Sequence, residues 1–227
     1  DFMSAEIEAV PAFKARDIGF DRSMIGSYGH DDRVCAYPSM MACMDTTSPN
    51  KTSVVILTDK EETGSDGNTG LCSSYLKYFI HDLAECFGVN GRTVLSNSEC
   101  LSADVNAGFD PTYPEVADKN NFAFLNYGVV VTKFTGSRGK SGTSDASAEF
   151  VGKVHNLLRD NGIIFQTGEL GKVDAGGGGT VAMYIANLDV NTIDVGVPVL
   201  CMHAPFEVVA KTDVYMAYKS FYVFMNE

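Results

Sequence analysis

Ser53-Val54-Val55-Ile56-Leu57-Thr58-Asp59-Lys60-Glu61-Glu62-Thr63-Gly64-Ser65-Asp66-Gly67-Asn68-Thr69-Gly70 is the stretch on which the reading of this chain turns. Its first six residues are a short, largely β-branched apolar run, the pattern of a strand buried on both faces. The run then breaks into acids and turn formers. Ligands and catalytic groups in open α/β sheets gather at the carboxyl ends of strands. Two adjacent acids at that place can divide labour, one holding a cation and the other moving a proton.

Working outward, apolar segments alternate between strand and helix character with short connections, which predicts an α/β fold. Strands are expected at Glu6–Phe13, Ser53–Thr58, Cys100–Asp104, Gly128–Phe134, Ile163–Gln166 and Thr192–Val197. Helices are expected at Asp31–Met44, Gly70–Phe87, Ser147–Leu158, Thr180–Leu188 and Phe206–Phe224, the last with Pro205 near its first turn. Within Gly70–Phe87, Leu71, Tyr75, Tyr78, Phe79, Leu83 and Phe87 recur at helical spacing and read as a core stripe. No internal repeat is visible, and Gly176–Gly179 is the one low-complexity run.

Composition narrows the classes. A 227-residue chain with 45% hydrophobic and 20% charged residues can bury one substantial core as a single domain. A formal net charge of −12 repels nucleic acid and anionic lipid, so neither is expected as a partner. No apolar run approaches the roughly 20 residues of a membrane helix. The chain opens at Asp1, so a start lying further upstream is expected. Cys35, Cys43, Cys72, Cys86, Cys100 and Cys201 show no CxxC spacing. They read as buried free thiols of a reducing, cytoplasmic setting.

Further acids and one histidine recur where strands give way to loops or helices. Asp31-Asp32 follows Gly26-Ser27-Tyr28-Gly29-His30, Asp104 closes Leu101-Ser102-Ala103, and His203 follows Val199-Leu200-Cys201-Met202. Each alone has a plain structural reading: an N-cap, a turn, a hydrogen-bonded imidazole. With Glu62 they make an oxygen-and-nitrogen donor set that suits Zn²⁺, with Co²⁺ or Mn²⁺ as alternatives.

These motifs resemble, in order, those of the aspartyl aminopeptidase and vacuolar aminopeptidase I family of two-metal exopeptidases, in its bacterial branch. The likeness runs from about Ser4 to the C-terminus. It rests on Asp21-Arg22-Ser23, Tyr28-Gly29-His30-Asp31-Asp32-Arg33, Asp59 to Ser65, Ser102-Ala103-Asp104, Gly176 to Thr180, Asp194 to Pro198 and Met202-His203-Ala204. The resemblance implies a three-layer α/β sandwich with a mixed, mostly parallel sheet of the zinc-exopeptidase kind. It also implies two divalent metal ions, with Asp31 bridging them, Glu62 and His203 on one, and Asp104 on the other. Glu61 is then the general base, and peptides with free N-termini are the substrates. Lys133 and Lys140 of the loop 132–144, with Gly177 and Gly178, are the expected substrate wall. Self-association into a large homo-oligomer, as far as a dodecamer, follows from the same resemblance.

Two departures qualify it. The family's upstream His-x-Asp segment and its inserted dimerisation domain are absent, so residues 1–227 read as the C-terminal catalytic part, expected to hold metal poorly and to be inactive by itself. The aspartyl-selective branch has a His three residues after the metal Asp, where this chain has Ala107, which weakens the expectation of acidic-residue specificity. The rival readings are a catalytically inactive scaffold subunit and a related two-metal deacylase or carboxypeptidase.

Overall fold

The computed structural model describes residues 2–138, 141–142 and 144–227. In chain order the elements are β1 (Arg16–Ile18), β2 (Met24–Ser27), α1 (His30–Asp45), α2 (Tyr75–Cys86), α3 (Gly91–Ser96), β3 (Glu99–Ser102) and β4 (Asn106–Ala107). They continue through β5 (Val129–Thr132), α4 (Ala148–Asp160), β6 (Phe165–Thr167), α5 (Ala182–Ala186), β7 (Asn191–Gly196), β8 (Pro198–Leu200), β9 (Glu207–Ala210) and α6 (Lys211–Met225). The strands form a four-stranded sheet ordered β3-β7-β5-β6 and a five-stranded sheet ordered β1-β2-β9-β8-β4.

The four-stranded sheet is covered on both faces. Leu101 of β3 and Ile193 and Val195 of β7 join the main core with Phe150, Val154 and Leu158 of α4 and Ala217 and Phe221 of α6. Cys100, one residue along β3, turns the other way into a second cluster with Leu95 of α3, Ile185 of α5 and Leu76 and Ile80 of α2. That alternation is the period of two expected of a strand between helical layers. The α/β class and the mixed sheet stand, and parallel pairing is less dominant than expected. β3/β7, β4/β8 and β5/β6 run parallel, while β1/β2, β2/β9, β8/β9 and β5/β7 run antiparallel.

Some expected elements are overturned. Ser53–Thr58 forms no ladder, and Val54, Ile56 and Leu57 are exposed. Its strand propensity finds no partner strand among the described residues, and pairing is what turns an extended run into a strand. Glu6–Phe13 is likewise unpaired and mostly exposed. The core stripe of α2 is rotated: Tyr75, Tyr78, Phe79 and Phe87 face solvent, while Leu76, Ile80 and Ala84 face inward. The expected helix at Phe206 starts later, because Glu207–Ala210 is β9, held between β2 and β8. Of the cysteines, Cys72, Cys86 and Cys201 are exposed and Cys43 and Cys100 half-buried, leaving Cys35 as the buried one.

The two sheets are continuous along one parallel pair of chain segments. β3 and β7 pair in the first sheet, β4 and β8 in the second, and each segment bends between its two strands. Asp104 lies at one bend and Gly196 beside the other. A Cβ at Gly196 would stand 1.5 Å from the Asp104 carbonyl oxygen, so the close approach requires glycine. No helix is long and apolar enough to cross a membrane, among the described residues.

Candidate metal centre

The bend is where the candidate residues gather. Asp31 and Asp32 open α1 but lie outside its regular turns, with φ/ψ of −80°/107° and −120°/32°. They therefore project from the end of β2 rather than along a helix flank. Glu61 and Glu62 sit in a single 3₁₀ turn, Glu61–Thr63, entered through Lys60 in the left-handed region at φ 67°. Asp104 follows β3, and His203 occupies the turn between β8 and β9 at φ 66°. A non-glycine residue there costs on the order of 1 kcal/mol and persists where surroundings over-determine it.

These positions converge. His203 Nε2 lies 2.9 Å from Asp31 Oδ2 and 3.0 Å from Glu62 Oε1. Ligand-type atoms of Asp31, Glu62 and His203 lie within 4.8 Å of one another, and so do those of Asp31, Asp32 and Asp104. Asp31 is common to both groups. Its side chain is 9% exposed, against 58% for Glu62 and 59% for His203, so the shared carboxylate lies deepest.

The electrostatics call for a cation. Burial and the charge of Glu62 push the Asp31 carboxyl up to about 7. Burial raises Asp104 well above the usual carboxylate range, with Asp32, Glu61 and Asp31 adding to it. Asp32 is raised in the same way, and its buried Oδ1 has no hydrogen-bond partner among the described residues. Glu61 is raised by burial and by Glu62, with His203 pulling the other way. Crowded, partly desolvated oxygens with an orphaned lone pair are destabilised as ionised acids and stabilised by a divalent ion, whose charge inverts the local balance. The donor set fits zinc.

Behind Asp104, a cavity of about 10 Å³ is lined by Asn106, Thr132, Thr180 and Asp194 among others. Burial pushes Asp194 up to about 6, while the Ser102 and Thr180 hydroxyls pull it down. A carboxyl near 3.9 in the unfolded chain and about 6 in the fold binds more protons when folded between those values. Its contribution is therefore fully present below about pH 4 and is lost as pH rises through about 6, on the order of 3 kcal/mol. Asp194→Asn is expected to flatten stability between pH 4 and 6. Urea midpoints of both proteins across that range check it, and identical slopes would remove Asp194 as the source.

The expected substrate wall is engaged within the chain. Lys133 Nζ donates to Asp145. Gly177 has φ 92°, and a Cβ there would stand 2.5 Å from the Gly136 carbonyl oxygen, so contact with its own backbone already requires glycine. The Gly178 carbonyl accepts from Gly136 N–H at 2.6 Å. Lys140 lies outside the described residues.

Sequence reasoning missed two residues here. The sequence reading gives Asp32 no ligand role, yet its carboxylate belongs to the second group. Glu207 was read as part of a helix, and it is a 2%-exposed acid beside both Asp31 and His203. An acid beside the Val208-Val209-Ala210 run is the signal that would have found it.

Comparison with known proteins gives a consistent result. The family model described as aminopeptidase I zinc metalloprotease (M18) matches residues 1–225. A probable M18 family aminopeptidase 1 from Clostridium acetobutylicum is 48% identical over 230 residues, covering 100% of this chain and 50% of the relative. The crystal structure of the M18-family aminopeptidase from Thermotoga maritima superposes with a TM-score of 0.92 at 43% identity, covering 96% of this chain and 49% of that one. The Saccharomyces cerevisiae mApe1 dodecamer gives a TM-score of 0.79 at 26% identity, covering 95% and 48%. The chain spans about half the length of the curated relatives it matches.

Proposed function

The chain belongs to the aminopeptidase I zinc metalloprotease (M18) family, and on that premise we propose that it carries the metal and base residues of an aminopeptidase that removes the N-terminal residue from peptides. The observation that carries this reading is Asp31, whose carboxylate is shared by two ligand groups with Glu61 next to one of them. In this reading Asp31 would be shared between two divalent ions, one of which Glu62 and His203 would hold and the other Asp104. Asp32 stands beside Asp104 as an auxiliary carboxylate.

Zinc held there would supply Lewis acidity toward the scissile carbonyl and would lower the pKa of an attacking water. Glu61 would take a proton from the attacking water and pass it to the leaving amine. Its raised pKa suits the task, because a base is most effective when its pKa lies near the working pH. The neighbouring Glu62 is held by His203 at 3.0 Å, so the two acids separate into a fixed ligand and a proton carrier. Lys133, Lys140, Gly177 and Gly178 are the candidates for contacts with the bound peptide.

The six free thiols favour a reducing compartment, and a cytoplasmic setting is part of this reading. So is self-association into a large homo-oligomer, favoured by the dodecameric yeast relative.

Chelation of the full polypeptide is expected to abolish cleavage of peptide amides with a free N-terminus, and added zinc to restore it. N-acetylated versions of the same substrates are expected to stay intact. Equal cleavage of blocked and free substrates would sink aminopeptidase action in favour of a deacylase or carboxypeptidase relative.

A further inference from the structure

Glu207 is the most buried acid near the cluster, 2% exposed, and is not itself among the grouped ligands. It begins β9 and stands opposite Ser27, the last residue of β2. Each of its oxygens accepts a different backbone N–H. Oε2 takes that of Asp31 at 3.2 Å, and Oε1 takes that of His203 at 2.8 Å. Those donors come from opposite ends of the sequence, one leaving β2 and the other in the turn entering β9.

Both backbones need holding. Asp31 has left the strand and has not entered the helix, and His203 sits at φ 66° just after Cys201 at φ 59°. Within that turn the Ala204 N–H closes on the Cys201 carbonyl at 2.9 Å, which leaves the His203 N–H for the Glu207 carboxylate. One side chain thus ties the backbone of the shared carboxylate to the backbone of the imidazole that meets it.

We infer that Glu207 is a positioning residue that clamps Asp31 and His203 at their main-chain N–H groups and so sets the spacing of the metal cradle. The inference rests on the metal-centre reading above and deepens it. Outer-shell groups that orient ligands raise metal affinity without touching the ion. Glu207 acts in this way through peptide groups rather than through the far side of a ligand ring.

The chain supplies its own control. Asp213, fully buried in the first turn of α6, also accepts two backbone N–H groups, from Asn126 at 2.6 Å and Gly128 at 2.8 Å. It ties down a loop that contributes no ligand.

The test titrates zinc alone against a chromophoric chelator, using the metal-free full polypeptide and its Glu207→Gln, Glu207→Asp and Asp213→Asn variants, with thermal midpoints recorded in parallel. Glutamine keeps one acceptor oxygen and turns an NH₂ toward the second N–H. Aspartate is too short to reach both donors. Both Glu207 variants are expected to bind zinc about 10- to 100-fold more weakly, while Asp213→Asn lowers the midpoint and leaves zinc affinity unchanged.

Wild-type zinc affinity in either folded Glu207 variant overturns the inference. So does a loss that follows the midpoint equally in Glu207→Gln and Asp213→Asn, because the clamp would then be merely structural. Failure of the wild-type protein itself to bind zinc would overturn the metal centre, and the clamp with it.

Discussion

Glu61→Gln leaves the metal content of the protein at its wild-type level and lowers turnover by about 10²- to 10⁴-fold, the range that a positioned general base supplies. Glutamine matches glutamate in size and keeps an oxygen, so the 3₁₀ turn Glu61–Thr63 and the Lys60 entry at φ 67° should be undisturbed. What the amide lacks is a site for the proton. Glu61 does not belong to either of the two ligand groups, whereas its neighbour Glu62 does. The substitution therefore separates two roles that sequence adjacency confounds. Metal analysis of the dialysed protein with steady-state kinetics on a free N-terminal substrate checks both halves. Retained turnover would remove Glu61 as the base, and lost metal would make it a ligand instead.

The segments that were legible in the sequence carry their own boundary chemistry. α4 is announced by Ser147, whose hydroxyl accepts from Phe150 N–H, and is stopped near Gly162 at φ 64°. β5 is a continuous β-branched run, and β7 keeps Ile193 and Val195 in the main core although Asp194 interrupts its apolar pattern. The misread segments depend on partners that a sequence does not display. Ser53–Leu57 has the composition of a central strand and stands unpaired. Glu207–Ala210 has the look of a helix start, and the ladders to β2 and β8 make it a strand.

The site divides along the same line. Asp31, Glu62, Asp104 and His203 were visible because each is a ligand type placed where an apolar segment breaks. The Glu207 clamp was not visible, because its acceptors meet main-chain N–H groups, which every residue has. The Gly177 glycine has a second reason that the sequence does not display: a Cβ there would meet the Gly136 carbonyl oxygen at 2.5 Å.

Asp31→Asn has the second large effect, and it should be felt at both ligand groups together. Asparagine preserves shape and one oxygen, and the backbone N–H that donates to Glu207 is untouched. What disappears is the negative charge shared between the group with Glu62 and His203 and the group with Asp32 and Asp104. Loss of a ligand private to one group, as in His203→Ala, should empty one position and spare the other. Loss of the shared carboxylate should weaken both, and turnover falls with them. The folded metal-free protein should be no less stable for it. Burial and Glu62 already push this carboxyl up to about 7, so its ionised form is a burden on the fold until a cation is present. A zinc titration that retains one full-affinity position in Asp31→Asn would make Asp31 the ligand of a single ion. Loss of both, with an undiminished urea midpoint for the metal-free variant, is the outcome that a bridging carboxylate requires.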